Sequence, residues 1–335
     1  MQMPGERLLE RMWETITEKG IGRLLKPWQM RRESRATIDI QREEILILAQ
    51  AQHDAERIRR GEVRLADTSA MRLVAPSDED LSIAPEVYDR LALPMCAMES
   101  MIADMVRREV NTARAVLQAE AVLEEDPQVP PDQNVDEDWL FRWRDSASQV
   151  SNDLLQSLWG RVLAGEVKSP GSFSLRTLDF LKNLTQKEAE KIARLSRFIV
   201  INTIFRGAEK ILEDEGIDIE FLLKMQELGI ISGVDSVGLI TQLKSMRESD
   251  FFCVMRSNSI VLLIKHNDPQ KVFTLPTYHV TSMGKEIFRL GVFEPHIEYL
   301  EEVGKHIKSQ GFTVEIASYY RVDNDRISPY NNRVI

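Results

Sequence analysis

The chain has 335 residues, 43% hydrophobic and 29% charged, a soluble globular composition long enough for two or three substructures with cores of their own. Its formal net charge of −10 excludes a molecule that coats nucleic acid over its whole surface, which needs a broad basic face. No apolar run reaches the roughly 18 residues of a membrane-spanning helix and no secretory leader is visible, so the sequence predicts a cytoplasmic protein.

The charge is unevenly spread. Residues 76–150 carry 6 Lys+Arg against 17 Asp+Glu, whereas residues 19–35 hold six basic side chains against Glu33 alone. The two cysteines, Cys96 and Cys253, sit far apart in the apolar contexts "LPMCAM" and "FFCVM", which predicts buried free thiols rather than a disulfide.

In chain order, "ERLLERMWETITEK" (6–19) predicts a short amphipathic helix with Leu8, Leu9, Met12 and Ile16 on one face. Gly20 and Gly22 end it, and the basic "GRLLKPWQMRRESR" follows. Pro27 suits the first turn of a long helix reaching about Arg60. Its Ile38, Ile45, Leu48 and Ala55 fall near heptad spacing, interrupted by Gln52 and Arg59, the pattern of a weak coiled coil or of a helix needing a partner.

Residues 61–94 hold Pro76, Pro85, Pro94 and the acidic "SDED", which reads as a linker or loose loop. A second long helix is predicted over about 95–124. Its apolar stripe is Met95, Met98, Met101, Ile102, Met105, Val106, Val110, Ala113 and Leu117. The stripe reads as helix core, with an adaptable methionine-rich groove as the alternative. "EEDPQVPPDQNVDED" is a second acidic connector.

The densest stretch is residues 138–178, with three tryptophans and four arginines. Trp139, Trp143, Ala147, Val150, Leu154 and Leu158 recur at intervals of three and four and predict one continuous helical face. Arg142, Asp145, Gln149, Asn152 and Gln156 fall opposite it, toward solvent. Asp136 is placed to cap the start, with Val135 and Leu140 as its staple, and Gly165 to stop the helix. "SPG" makes a turn, Ser174 caps the next helix with Phe173 and Leu178 as staple, and Thr185 with Glu188 forms a capping box. Each of these signals has a structural purpose. The functional alternative makes Trp143 and Trp159 aromatic platforms and Arg142, Arg144, Arg161 and Arg176 anion or partner clamps, since Trp and Arg are enriched at interaction hot spots.

Beyond Gly207, "DIEFLLKMQELGIISG" predicts a helix running into an extended segment, and "FFCVMR", "SIVLLIKH" and "KVFTLPTYHV" read as strands. "TSMGKEIFRLG" and "EPHIEYLEEVGKHIKSQG" are helices and "FTVEIASYYRV" a last strand. A helix pair followed by a small hairpin sheet suggests a winged-helix-like unit with an α/β extension.

"LLQSLWGRVLAGEVKSPGSFSLRTLDFLKNLTQKEAEKI", together with "GIGRLLKPWQMRR" and "YHVTSMGKEIFRL", resembles an uncharacterised bacterial domain-of-unknown-function family, DUF2806. A fainter likeness of the same helix–turn–helix runs to the Abi-alpha (abortive infection) group. The resemblance implies bacterial origin and a link to phage defence, and brings no catalytic residue.

The search for chemistry returns little. "GSFSLRT" lacks the lysine and glycine spacing of a phosphate loop, and no nucleophile elbow appears. His53, His266, His279, His296 and His306 show no paired metal spacing. No catalytic, cofactor-binding or metal residue is assigned, and no cofactor is expected.

The expected fold is mainly α. It comprises an N-terminal helical arm (1–75), a linker (76–94), a helical domain (95–205), a winged-helix-like α/β domain (207–322) and a tail (323–335). The expected function is that of a non-enzymatic bacterial interaction or sensor protein, in the setting of anti-phage defence, that oligomerises through its helices. Arg23, Lys26, Trp28, Arg31 and Arg32 would engage a protein, an anionic membrane surface or nucleic acid, placing the protein in the cytoplasm or at the periphery of the inner membrane. The alternatives are a winged-helix DNA-binding regulator and an enzyme whose site is assembled from scattered residues.

Overall fold

The computed structural model describes residues 5–18, 37–67, 72–74, 85–124, 126–235, 239–291, 293–321 and 327–335. The chain divides into two compact units, Met1–Leu178 and Asp179–Ile335.

The first unit is helical. α1 (Glu6–Glu18), α2 (Thr37–Arg59), α3 (Pro85–Glu124), α4 (Glu137–Ser148) and α5 (Asp153–Lys168) are joined by a two-stranded antiparallel hairpin, β1 (Arg64–Asp67) with β2 (Arg72–Val74), between α2 and α3. α6 (Leu175–Asn183) carries the boundary between the units. α3 has 40 residues, about 60 Å at 1.5 Å per residue, and α1, α2, α4 and α5 all pack on it. It begins at Pro85, a position where proline's missing N–H costs nothing, rather than near Met95 as expected.

α3 and α5 approach each other closely at Gly160. At Gly160 a Cβ would meet Gln118 Cβ at 2.5 Å and Ala115 O at 2.9 Å, so glycine lets two backbones approach where any side chain would hold them apart. Ala115, Ala119 and Ala164 are fully buried around the same contact. The acidic connector after α3 is pinned at several points. Arg11 Nη2 donates to Pro131 O and Asp132 O, Val135 is buried, and Lys168 Nζ reaches Asp126 Oδ2 at 2.9 Å.

The second unit is mixed. α7 (Gln186–Ser196) leads to β3 (Thr203–Phe205), α8 (Glu209–Asp214), α9 (Ile219–Glu227), β4 (Ile231–Ser232) and β5 (Leu239–Leu243). β6 (Phe251–Ser257), β7 (Ile260–His266), β8 (Phe273–Val280), α10 (Ser282–Phe288), α11 (Ile297–Ser309), β9 (Thr313–Arg321) and β10 (Ile327–Val334) follow. One antiparallel sheet centres on β8, with β3, β4 and β5 paired to it. The other runs β10-β9-β7-β6, also antiparallel. Burial alternates along β6, with Phe251, Cys253, Met255 and Ser257 inward, the period of two that a half-covered strand requires. Phe251, Phe273 and Phe312 meet edge to face with centroids 4.8–5.9 Å apart, and the buried Tyr299 hydroxyl accepts the Phe205 N–H at 2.6 Å.

These sheets overturn the expected mainly α fold. With 54% helix and 19% strand the protein is mixed α/β. The winged-helix-like expectation allowed one small hairpin sheet, whereas the unit carries two four-stranded layers. The strands read from sequence are present, but the pattern of single strands does not say that they sort into two sheets. β10 was invisible because "ISPYNNRV" is polar and exposed. Its pairing comes from backbone hydrogen bonds to β9 at the sheet edge, which leave no hydrophobic alternation to read.

Candidate functional site

The tryptophan-rich stretch is core. Trp143 and Trp159 are among the largest fully buried side chains, and Trp139 is buried beside them. Their polar edges are satisfied internally: Trp139 Nε1–H donates to Phe173 O at 2.7 Å and Trp143 Nε1–H to Trp159 O at 2.9 Å. A buried indole needs such a partner, and a buried ring is no platform for a ligand, so that alternative falls.

The turn that follows is held by Glu166, which is 1% exposed. Its Oε1 accepts the Gly171 N–H at 2.5 Å and its Oε2 the Phe173 N–H at 3.0 Å. One carboxylate thus satisfies two turn amides, and Gly171 takes φ +85°, which suits glycine. Gly165 does not end α5, which runs to Lys168. A Cβ there would lie 2.6 Å from the Phe173 ring, so this glycine makes room for the turn's aromatic anchor. The motif "LAGEVKSPGSF" is therefore a folding device.

The continuous face expected over 139–158 is broken. α4 ends at Ser148 and α5 starts afresh behind Asn152, whose Oδ1 accepts the Leu154 and Leu155 N–H groups. The restart turns Leu154 outward, 72% exposed, and brings Gln156 inward, 3% exposed. Gln156 Nε2 donates to Asn111 Oδ1 and Val150 O, and Asn111 Nδ2 to Ser148 O. A polar residue was needed at 156 to satisfy backbone groups freed by the break. The Asp136 cap, the Ser174 contact to Thr177 N and the Thr185–Glu188 capping box form as the sequence indicated.

The four arginines are spread over three helices, α4, α5 and α6. Arg144 is ion-paired to Glu109 at 2.5 Å and joins α4 to α3. Arg142, Arg161 and Arg176 lie exposed on three successive helices, α4, α5 and α6. Arg23, Lys26, Trp28, Arg31 and Arg32 lie outside the described residues.

Two further features of the first unit bear on function, the methionine stripe and a cavity. Met98, Met101 and Met105 are 45%, 69% and 63% exposed, although the sequence placed them in a core stripe. The face of α3 that is covered runs instead through Ala103, Val110, Ala113, Val116 and Leu123. The methionines sit on a second face at 3-4 spacing. The second feature is a cavity of about 450 Å³ between α2, α3 and α5, lined by Leu48, Arg114, Leu117, Gln118, Ala121, Asp153 and Gln156.

Among the described residues no group of three or more His, Cys, Asp or Glu is placed to hold a metal ion. His296 caps α11 by accepting the Tyr299 N–H on Nδ1, and its Nε2 lies 3.4 Å from Glu215. Cys253 is buried and its thiol is pushed up to about 11 by desolvation, which keeps it a protonated, inert thiol. Cys96 is free but exposed, so only one of the two expected buried thiols is buried. No described helix is long and apolar enough to cross a membrane.

Residues 104–204 match the family described as a protein of unknown function, DUF2806. The match runs from the middle of α3 through the tryptophan core and the Glu166 turn to β3; the stretch 154–192 that pointed to this family lies within it, whereas "GIGRLLKPWQMRR" and "YHVTSMGKEIFRL" lie outside it. No curated protein and no solved structure matches the chain, so the likeness to the Abi-alpha group rests on the sequence motif alone.

Proposed function

We propose that the chain is a non-enzymatic interaction protein that pairs with a second copy of itself through the methionine face of α3. The observation that carries this reading is the exposure of Met98, Met101 and Met105 on a helix whose other apolar face is already buried. Intervals of three and four residues make a helical seam of the kind that packs against an equivalent seam. Burying each thioether would contribute about 1.5–3 kcal/mol. The flanks carry both signs, with Arg107 beside Asp104 at 3.6 Å, and such a seam can face its own copy without net repulsion.

The basic segment 19–35 gives this assembly its second contact, to an anionic partner or membrane surface, and the phage-defence setting comes from the sequence resemblance. Unpaired Cys96 and Cys253 fit a reducing cytoplasm. Protein contact is favoured over duplex DNA because the exposed positions of α9 are Ile219, Glu220, Leu223, Lys224 and Glu227, one cation against two carboxylates, where duplex binding calls for a basic face.

The test is the oligomeric state of the full chain by light scattering. The double variant Met101→Glu, Met105→Glu should be monomeric at concentrations where the parent is a dimer, with an unfolding midpoint equal to that of the parent diluted until it is monomeric. A spin label on Cys96, the reactive thiol of the two, should report distances between copies in the parent only. A monomeric parent overturns the reading. For the basic arm, Arg31→Gln with Arg32→Gln should abolish binding to anionic vesicles, and unchanged binding removes that contact.

A further inference from the structure

The cavity between α2, α3 and α5 is lined by a cation and an anion, Arg114 and Asp153, that form no ion pair among the described residues. Arg114, Leu117, Gln118 and Ala121 line it from α3 at i, i+3, i+4 and i+7, one helical face. Asp153 and Gln156 line it from the first turn of α5, and Leu48 from α2. Arg114 Nη2 donates to Gln52 Oε1 at 2.8 Å, a neutral acceptor that leaves the guanidinium charge in place. Arg114 and Asp153 form no ion pair with each other within 4.0 Å, though both face the same space.

Gln156 is almost fully buried, and its Nε2 is committed to Asn111 Oδ1 and Val150 O. What it offers the cavity is therefore its carbonyl oxygen. Asp153 and Gln156, one turn apart, form a wall of hydrogen-bond acceptors. The positive end of α5 amounts to about half a charge, less than the full carboxylate of Asp153, and the Asn152 side chain already occupies two of its N–H groups. The opposite wall is a guanidinium donor, and Leu48, Leu117 and Ala121 supply the apolar lining.

We propose that this cavity binds a small zwitterion, an α-amino acid with an apolar side chain. The ligand's ammonium would donate to Asp153 and Gln156, its carboxylate would accept from Arg114, and its side chain would lie against the two leucines. A volume of about 450 Å³ falls in the range of roughly 300–1,000 Å³ usual for small-molecule sites. The arrangement explains why an arginine and an aspartate are held apart in one cavity, when contact between them would have neutralised both.

The experiment is isothermal titration calorimetry of the full chain with L-leucine, L-methionine and L-valine. 4-Methylpentanoate, which lacks the ammonium, and isoamylamine, which lacks the carboxylate, serve as comparison ligands. At least one of the amino acids should bind saturably, and both truncated analogues should bind at least about tenfold more weakly, the loss expected for a charge-assisted hydrogen bond. Arg114→Gln and Asp153→Asn should each weaken amino-acid binding by a similar factor. Leu117→Trp, which fills the cavity and leaves both charges in place, should abolish it. Far-UV circular dichroism and the ligand-free unfolding midpoint establish that each variant is folded. No binding of any of the three amino acids up to about 10 mM overturns the proposal. So does binding that persists in Leu117→Trp, or that does not distinguish an amino acid from its truncated analogues.

Discussion

The first unit contains two apolar helical runs that look alike as sequence and end up in opposite environments. Trp139, Trp143 and Ala147 recur every four residues and vanish into the core, with the indole donors of Trp139 and Trp143 satisfied inside the fold. Met98, Met101 and Met105 recur at intervals of three and four, an equally helical period, and stay in solvent. Periodicity reports that a helix has an apolar face. It does not report whether the chain itself brings something to cover that face. At Trp143 the covering helix is α5, which glycine at 160 lets approach α3 closely. At Met101 no described element is close enough to bury the side chain.

The sharpest way to break this comparison is to empty the covered face. Trp143→Ala should cost about 3–5 kcal/mol, read as a lowered urea midpoint of the first unit. A loss under about 1 kcal/mol would mean that the tryptophan face is no more committed than the methionine face. Next comes the turn behind it. Glu166→Ala leaves the Gly171 and Phe173 amides without their acceptor and should cost about 2 kcal/mol. Glu166→Gln, which keeps one acceptor oxygen, should cost less. If both variants unfold with the parent, the motif has a purpose other than folding. On the uncovered face, Met101→Glu with Met105→Glu should move the chain's own stability by no more than about 0.5 kcal/mol while changing its association.

The smallest effect is in pH. Burial pushes the Asp126 carboxyl upward, but hydrogen bonds from Lys168 and the Gln128 amide, with the Lys168 charge, outweigh it and hold it below its usual value. A carboxyl depressed on folding adds stability above its unfolded pKa, and loses it as pH falls through the folded one. Acid unfolding of the first unit should therefore begin at a slightly different pH in Asp126→Asn, whose curve lacks this contribution. Superimposable acid curves would show that the Lys168 contact ties nothing together.

Much of the candidate site was hidden in residues that look unremarkable. Arg114 and Asp153 are 39 positions apart, and each reads as a helix-surface charge. An unbroken helix through Val150 would place Gln156 in solvent. The break at 149–152 rotates the following helix, and with it Leu154 and Gln156 exchange environments. The basic segment 19–35 remains legible in sequence alone, and the methionine spacing was legible too, though its exposure was not.

Local physics was readable one residue at a time. Asp136, Ser174, Thr185 with Glu188 and the strands around Phe251 and Ile264 declare themselves because caps and alternation depend on neighbours within about four positions. What only the tertiary structure decided is which faces meet. Two sheets instead of one hairpin, a glutamate buried under a turn, an arginine and an aspartate across one cavity and a bare methionine seam all depend on contacts between distant segments. Those contacts follow from the packing of the whole chain, and no window of sequence contains them.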